Sequence, residues 1–159
     1  MNITYNDLEK IEQSVLQLYS DFEVKIYELK EVINIINILY FQKIGAIFGG
    51  DNNLIDKINT LIDKFIAKYY VDSLTLKQIK SIFVNVFLQA SRKNSKTQYL
   101  TVIGRLSPDH KKELINDVEE YAKDHKINIK MSRDTYRKKS KKTRKSRKIK
   151  RLRKSKKYK

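Results

Sequence analysis

The chain of 159 residues contains no cysteine and no tryptophan, and it has only one proline and four glycines. Without cysteine there is no thiol nucleophile and no thiolate to ligate zinc or an iron–sulfur cluster. The same absence excludes a small disulfide-stabilised scaffold. So little glycine and proline excludes a collagen-like chain. The chain does have many charged residues, 33% of the total, and 40% of its residues are hydrophobic.

The sequence also lacks the glycine-rich motifs that bind phosphates, because neither a P-loop nor a Gly-x-Gly-x-x-Gly pattern occurs in it. Its two histidines, His110 and His125, lie 15 residues apart. That spacing is about 22 Å along one helix, so the two cannot share a metal within one chain. His110 and Glu113 form a lone pair at helical spacing, and no serine stands in a plausible arrangement with histidine and aspartate. We therefore predict that the protein is not an enzyme and holds no metal or cofactor.

The net charge of +17 is distributed very unevenly. Residues 1–132 contain 18 Lys plus Arg and 17 Asp plus Glu, a net charge of +1, whereas residues 133–159 contain 17 Lys plus Arg and the single acid Asp134, a net charge of +16. A block of like charge this dense repels itself and cannot form a core. The sequence therefore predicts a helical domain over residues 1–130 and a disordered Lys/Arg-rich tail over residues 131–159.

The hydrophobic pattern of the first domain predicts an all-α fold, a bundle of four to six helices with one long N-terminal helix. Asn6 and Glu9 have the spacing of an N-terminal capping box. A spacing of three and four residues then recurs at Leu8, Ile11, Val15, Leu18, Phe22, Leu29, Val32, Ile36 and Leu39. This is the pattern of a single helix with a coiled-coil-like seam, although Lys25 and Lys43 occupy two positions of the same frame. Gly45 and the pair Gly49–Gly50 are expected to end it.

Later helices are expected to begin near residues 51–53, at Thr75 or just before it, and at Pro108. Thr75 and Gln78 have capping-box spacing, and Ser107 is a favourable N-cap before a proline suited to the first helical position. Leu114, Val118 and Tyr121 are expected to face inward from the last helix. The segment 98–106 is predicted as a helix, although its composition also suits a strand.

Residues 32–50 are the part of the sequence closest to a membrane span. Their charge-free run extends only from Val32 to Gln42 and is interrupted by polar residues, whereas a span needs about 20 mostly apolar residues. We therefore predict a buried helix rather than a membrane insertion. No basic segment precedes an apolar one near the N-terminus, so we expect an intracellular protein, in a nucleus or in a virion or other nucleoprotein compartment, rather than a secreted one.

The tail carries the main functional prediction, which is contact with the phosphates of DNA or RNA. The candidate residues are Arg133, Arg137, Lys138, Lys139, Lys141, Lys142, Arg144, Lys145, Arg147, Lys148, Lys150, Arg151, Arg153, Lys154, Lys156 and Lys157. Phosphate contacts position a protein without reading sequence, so binding should be largely independent of sequence. Two alternatives remain: a nuclear localisation signal, or an electrostatic anchor to an anionic membrane or acidic protein. Few bulky apolar residues accompany the charges, so we do not expect a membrane partner.

The tail resembles the Lys/Arg/Ser-rich tails of virion core and packaging proteins of large DNA viruses, and equally those of ribosomal and chromatin proteins. The resemblance covers about 27 of the 159 residues and lies in composition rather than in a motif. It implies an architectural or packaging role on a nucleic acid.

Two further charged groups have candidate roles. A second basic cluster, Arg92, Lys93 and Lys96, with Lys77 and Lys80 one helix earlier, could extend the phosphate contacts onto the folded surface. An acidic stripe is formed by Glu113, Asp117, Glu120 and Asp124 at helical spacing. This stripe is interpreted either as a solvated helix face or as a site for a cation or for the basic tail.

The apolar seam of the first helix also has two interpretations. It packs against later helices of the same chain, or it associates with a second copy or another protein. A structural or scaffold protein, with the tail as localisation signal or anchor, is accordingly the alternative to nucleic-acid binding.

Overall fold

The computed structural model describes residues 3–93 and 101–126, apart from the side chains of residues 92 and 93. Every regular element within these residues is a helix, which confirms the all-α prediction. The helices are α1 (Tyr5–Val24), α2 (Leu29–Gly49), α3 (Asn52–Tyr69), α4 (Ser73–Lys93), the helical residues 101–104 (α5) and α6 (Pro108–Asp124). The predicted domain boundary at residue 130 and the predicted tail lie outside the described residues.

The prediction of one long N-terminal helix is wrong, because the helix ends at Val24 and a new one begins at Leu29. The backbone N–H of Tyr27 donates to the hydroxyl of Tyr69 at 3.1 Å. Glu28 then starts α2 with a capping box, its N–H donating to the Glu31 carboxylate at 2.9 Å. The reversal lets α1 fold back, so that α2 contacts α1, α3 and α4 and α1 contacts α3.

Side-chain caps set the starts of the other helices. Thr4, rather than Asn6, caps α1 by exchanging hydrogen bonds with Asp7 at 3.0 and 3.1 Å. Asp51 accepts from the Leu54 N–H at 3.1 Å, which confirms the predicted start of α3. Asp72 accepts from the Thr75 N–H at 2.7 Å, so α4 begins two residues before Thr75. Hydrogen bonds from Thr4 and from Thr75 lower the pKa of Asp7 and of Asp72 below the ordinary range of an aspartate.

Ser107 caps α6 as expected, accepting from the His110 N–H at 3.3 Å, and Pro108 is the first residue of the helix. Leu114 and Val118 are buried and Tyr121 is half-buried. Residues up to Asp117 belong to one compact unit, and α6 from Val118 onward belongs to a second.

Helix α2 is the centre of the first unit, with an unbroken run of buried residues from Lys43 to Phe48. Gly45 lies inside the helix rather than at its end. A Cβ atom at Gly45 would come within 2.8 Å of Ile11, and one at Gly49 within 2.8 Å of Leu8. The absence of side chains at these two positions therefore lets α1 approach α2 closely. Gly50 ends the helix in the left-handed conformation, with φ of 67°.

Helix α2 is also long and apolar enough to cross a membrane, judged by length and composition alone. In the structure 56% of its most apolar 18-residue window is buried. This burial by neighbouring helices favours the interpretation as the core helix of a folded domain.

Tyr70, which follows α3, has the left-handed backbone conformation with φ of 52° and ψ of 49°, and it is 88% exposed. A side chain in this conformation meets the neighbouring carbonyl oxygen, and the strain costs roughly 1–2 kcal/mol, which glycine avoids. We therefore expect Tyr70→Gly to raise the free energy of unfolding, measured by urea denaturation, by about 1 kcal/mol. Tyr5→Ala, at an equally exposed tyrosine with ordinary helical backbone, should change it by less than about 0.5 kcal/mol. Equal stability of wild type and Tyr70→Gly would contradict the strain.

Candidate nucleic-acid interface

Most of the predicted phosphate-binding residues lie outside the part of the chain that the structure describes. This holds for all sixteen candidates between residues 133 and 157 and for Lys96. Arg92 and Lys93 are the last two residues of α4, so the predicted linker cluster begins as helix. Their role in phosphate binding stays a prediction.

The lysines of α4 that were expected to extend this cluster differ from each other. Lys77 is exposed. Lys80 instead lies 3.8 Å from the buried carboxylate of Asp117 on α6. Its charge is therefore already balanced inside the first unit, and its contact with Asp117 links α4 to α6.

The acidic stripe does not form one continuous surface. Asp117 is buried, and the Glu113 carboxylate lies 3.3 Å from the ammonium of Lys43 and accepts from the Asn59 amide at 3.1 Å. The interpretation as a solvated face is therefore wrong for Asp117, whereas Glu113 is partly exposed and Glu120 and Asp124 are exposed. A role of the stripe in binding the tail stays a prediction, because the tail lies outside the described residues. Among the described residues no group of three or more histidines or acids is placed to hold a metal ion.

The Glu113 carboxylate balances the charge of a buried lysine, Lys43. This lysine is only 3% exposed on α2, and its ammonium lies 5.4 Å from the ring centroids of both Tyr40 and Phe83. A buried ammonium needs a counter-charge because the protein interior solvates charge poorly. Sequence reasoning noted Lys43 only as an interruption of the apolar frame. Its position on the buried side of an apolar helix is the signal that could have identified Lys43 as a buried cation in need of a counter-charge.

Tyr40 shares this buried environment. Burial is the largest cause that raises the pKa of its phenol far above the ordinary value, and the charges of Asp117, Glu113 and Asp63 raise it further. The phenol therefore stays neutral over the physiological pH range, and the cluster holds one cation beside a carboxylate rather than a reactive phenolate.

The histidines have separate structural contacts. His110 is buried, and its Nε2 atom lies 2.9 Å from the Asp56 carboxylate on α3 rather than beside Glu113. His125 places Nδ1 3.0 Å from the carbonyl oxygen of Tyr121 and stacks on the Tyr121 ring at a centroid distance of 4.2 Å. Neither contact brings the two histidines together.

Positive charge on the folded surface that sequence reasoning missed lies between α1 and α3. Lys57 is held by Glu12 at 2.7 Å, and this hydrogen bond raises the pKa of Lys57. About two and three turns further along, Lys64 and Lys68 place their ammonium groups over aromatic rings instead of beside carboxylates. The signal in the sequence is the spacing of seven and four residues between these lysines, which puts them on one face of α3.

Comparison with known proteins gives no further guide: no family model, no curated protein and no solved structure matches the chain.

The buried ion pair gives a stability prediction. Glu113→Gln removes the carboxylate and leaves the Lys43 ammonium buried without its counter-charge. Breaking a buried pair in this way costs roughly 3–5 kcal/mol. Because the Glu113 side chain is 41% exposed, we expect a loss near the low end, about 3 kcal/mol, in urea denaturation.

Two variants serve as controls for this prediction. Glu120→Gln, at an exposed glutamate of the same helix, should change stability by less than about 0.5 kcal/mol. Lys43→Met combined with Glu113→Gln removes both charges and should recover most of the loss, because methionine fits an apolar site. A double variant as unstable as Glu113→Gln alone would show that the charge on Lys43 is not the cause.

Proposed function

We propose that the protein is a non-enzymatic, largely sequence-independent nucleic-acid-binding protein with a packaging or architectural role. The observation that carries this proposal is the charge of +16 within residues 133–159 next to a nearly neutral remainder of the chain. A charge density of this kind matches a polyanion, and DNA and RNA are the polyanions that a cell or virion holds in quantity.

Binding in this proposal is driven by the release of counterions from phosphates. Each Lys or Arg that contacts a phosphate frees condensed cations, so affinity falls steeply as salt rises. Such contacts read no base sequence. The same charges suit a location in a nucleus or in a virion or other nucleoprotein compartment, inside the cell rather than secreted.

The helical part would serve docking or oligomerisation. The apolar seam of α1 faces the chain itself: Val15 is buried, Ile11 lies against Gly45, and the Phe22 ring contacts Phe65 at 4.9 Å. A protein partner or a second copy of the chain would therefore have to bind a surface other than the apolar seam of α1. Five large apolar side chains are exposed near the α1–α2 and α3–α4 connections: Val24, Ile26, Leu29, Tyr70 and Leu74.

These exposed side chains also favour a second candidate function. A scaffold protein would bind a protein partner through them, and the tail would then act as a nuclear localisation signal or an electrostatic anchor. Exposed apolar clusters commonly mark protein interaction sites.

The test is a salt titration of full-length protein on mixed-sequence duplex DNA and on single-stranded RNA. If 6–10 tail charges engage, affinity should fall ~10³–10⁵-fold between 50 and 200 mM salt. Replacing the nine Lys and Arg of residues 137–148 with Gln should remove about half of this salt dependence, because the eight Lys and Arg left in residues 133–159 still release counterions.

A variant with the residues of the tail in shuffled order is the matched control. It keeps the charge and composition, so it should bind as the natural chain does if the contacts are independent of sequence. Weak binding by the natural chain near 150 mM salt would overturn the proposal and favour the scaffold function. Loss of binding in the shuffled variant would contradict its electrostatic basis.

A further inference from the structure

The lysines of the folded part divide by how their charge is balanced. Lys25, Lys43, Lys57 and Lys80 each have a carboxylate between 2.7 and 3.8 Å from the ammonium. Lys64 and Lys68 are both exposed, and within the described residues neither ammonium has a carboxylate within 4 Å. Their charge is therefore available to an outside anion.

Aromatic rings hold these two ammonium groups in place. Lys64 Nζ lies 5.5 Å from the Phe22 ring centroid and 6.0 Å from that of Tyr19. Lys68 Nζ lies 4.7 Å from the Phe22 centroid and 5.6 Å from that of Tyr69, and it donates to the Phe22 carbonyl at 3.5 Å. Cation–π contacts attract a lysine to a ring without neutralising its charge. The two charges lie one helical turn apart, and both remain available to an outside anion.

An exposed aromatic side chain follows this pair closely in the chain. Tyr70 follows Lys68 by two residues and projects into solvent at the end of α3 with 88% of its surface exposed. Its left-handed backbone is a conformation that glycine or asparagine adopts more easily. Strained positions that a fold retains are concentrated at functional sites, so the presence of a tyrosine here calls for a reason beyond packing.

We propose that Lys64, Lys68 and Tyr70 form a binding site for single-stranded nucleic acid on the folded part of the chain. The lysines contact neighbouring phosphates, and the Tyr70 ring stacks on an unpaired base. Bases in a duplex are already stacked on both faces, whereas a single strand offers a free face to an aromatic ring. This inference rests on the proposed nucleic-acid binding and adds to it a preference for single strands, which a polycation alone does not supply.

The first test uses full-length protein and a fluorescein-labelled, mixed-sequence DNA strand of about 15 nucleotides, alone and as its duplex. Lys64→Ala with Lys68→Ala removes two phosphate contacts, so the slope of log affinity against log salt for the single strand should fall by about 1.4. The control pair Lys10→Ala with Lys112→Ala removes the same charge from two exposed lysines elsewhere and should leave this slope almost unchanged.

The second test isolates the stacking. Tyr70→Ala should weaken binding to the single strand about tenfold and leave duplex binding unchanged. Tyr5→Ala, at another highly exposed tyrosine of the described residues, should change neither. Tyr70→Gly relieves the backbone strain, so a loss of single-strand binding in this variant cannot be attributed to a failure to fold.

The outcomes separate this inference from the proposed function. If the natural chain binds both probes with the expected salt dependence but the site variants behave as their controls do, the site is wrong and the proposed function stands. Equal weakening of single-strand and duplex binding by Tyr70→Gly would also overturn the stacking role. If the natural chain binds neither probe, the proposed function fails and this site fails with it.

Discussion

The burial of α2 is the constraint on which the rest of the described structure depends. Val32, Ile36, Leu39, Ile44 and Ile47 are all almost fully buried, and so are Gly45 and Ala46 on other sides of the same helix. One neighbour cannot cover such a helix, because each packed helix shields only a stripe of its surface. The chain has to reverse at residues 25–28 so that α1 covers the side of α2 that carries Gly45 and Gly49. Helices α3 and α4 contact α2 as well. The hydrophobic burial that stabilises the fold therefore also determines the path of the chain.

The burial of α2 also affects α6, because the buried Lys43 of α2 needs a partner for its charge. An apolar residue at the same place would need only packing, whereas an ammonium has to be paired. The partner comes from Glu113, which Asn59 on α3 also contacts. His110 with Asp56 and Lys80 with Asp117 add two more polar links from α6 to α3 and α4. The start of α6 is thus fixed by three polar contacts, and two acids that look available in the sequence are already paired.

The sequence predicts the helices well and their reversal poorly, for a physical reason. Caps act over three or four residues, so Asp51 and Ser107 could be identified from the chain alone. The break after Val24 contains neither glycine nor proline, and Phe22 and Leu29 are seven residues apart, which keeps the apolar frame in register across it. The Tyr27–Tyr69 hydrogen bond that accompanies the reversal joins residues 42 apart. Local pattern cannot reveal such a contact, and glutamate is not among the residues preferred at an N-cap, so Glu28 gives no clear signal of a new start either.

The proposed interface also has one part that local sequence reveals, the basic tail, and one part that depends on long-range contacts, the Lys64–Lys68 pair. The tail needs no fold to be recognised, because charge density alone favours phosphate and composition displays it directly. The Lys64–Lys68 pair depends on Tyr19 and Phe22 of α1, more than 40 residues earlier in the chain, so only the folded arrangement reveals that these ammonium groups are held over rings. A long polycation binds any nucleic acid and favours the higher charge density of a duplex over that of a single strand. In the proposed site the Tyr70 ring would give the opposite preference, because it binds a free base face that a duplex does not offer. Affinity from the tail and selectivity from the folded part would then arise from separate residues and respond differently to salt.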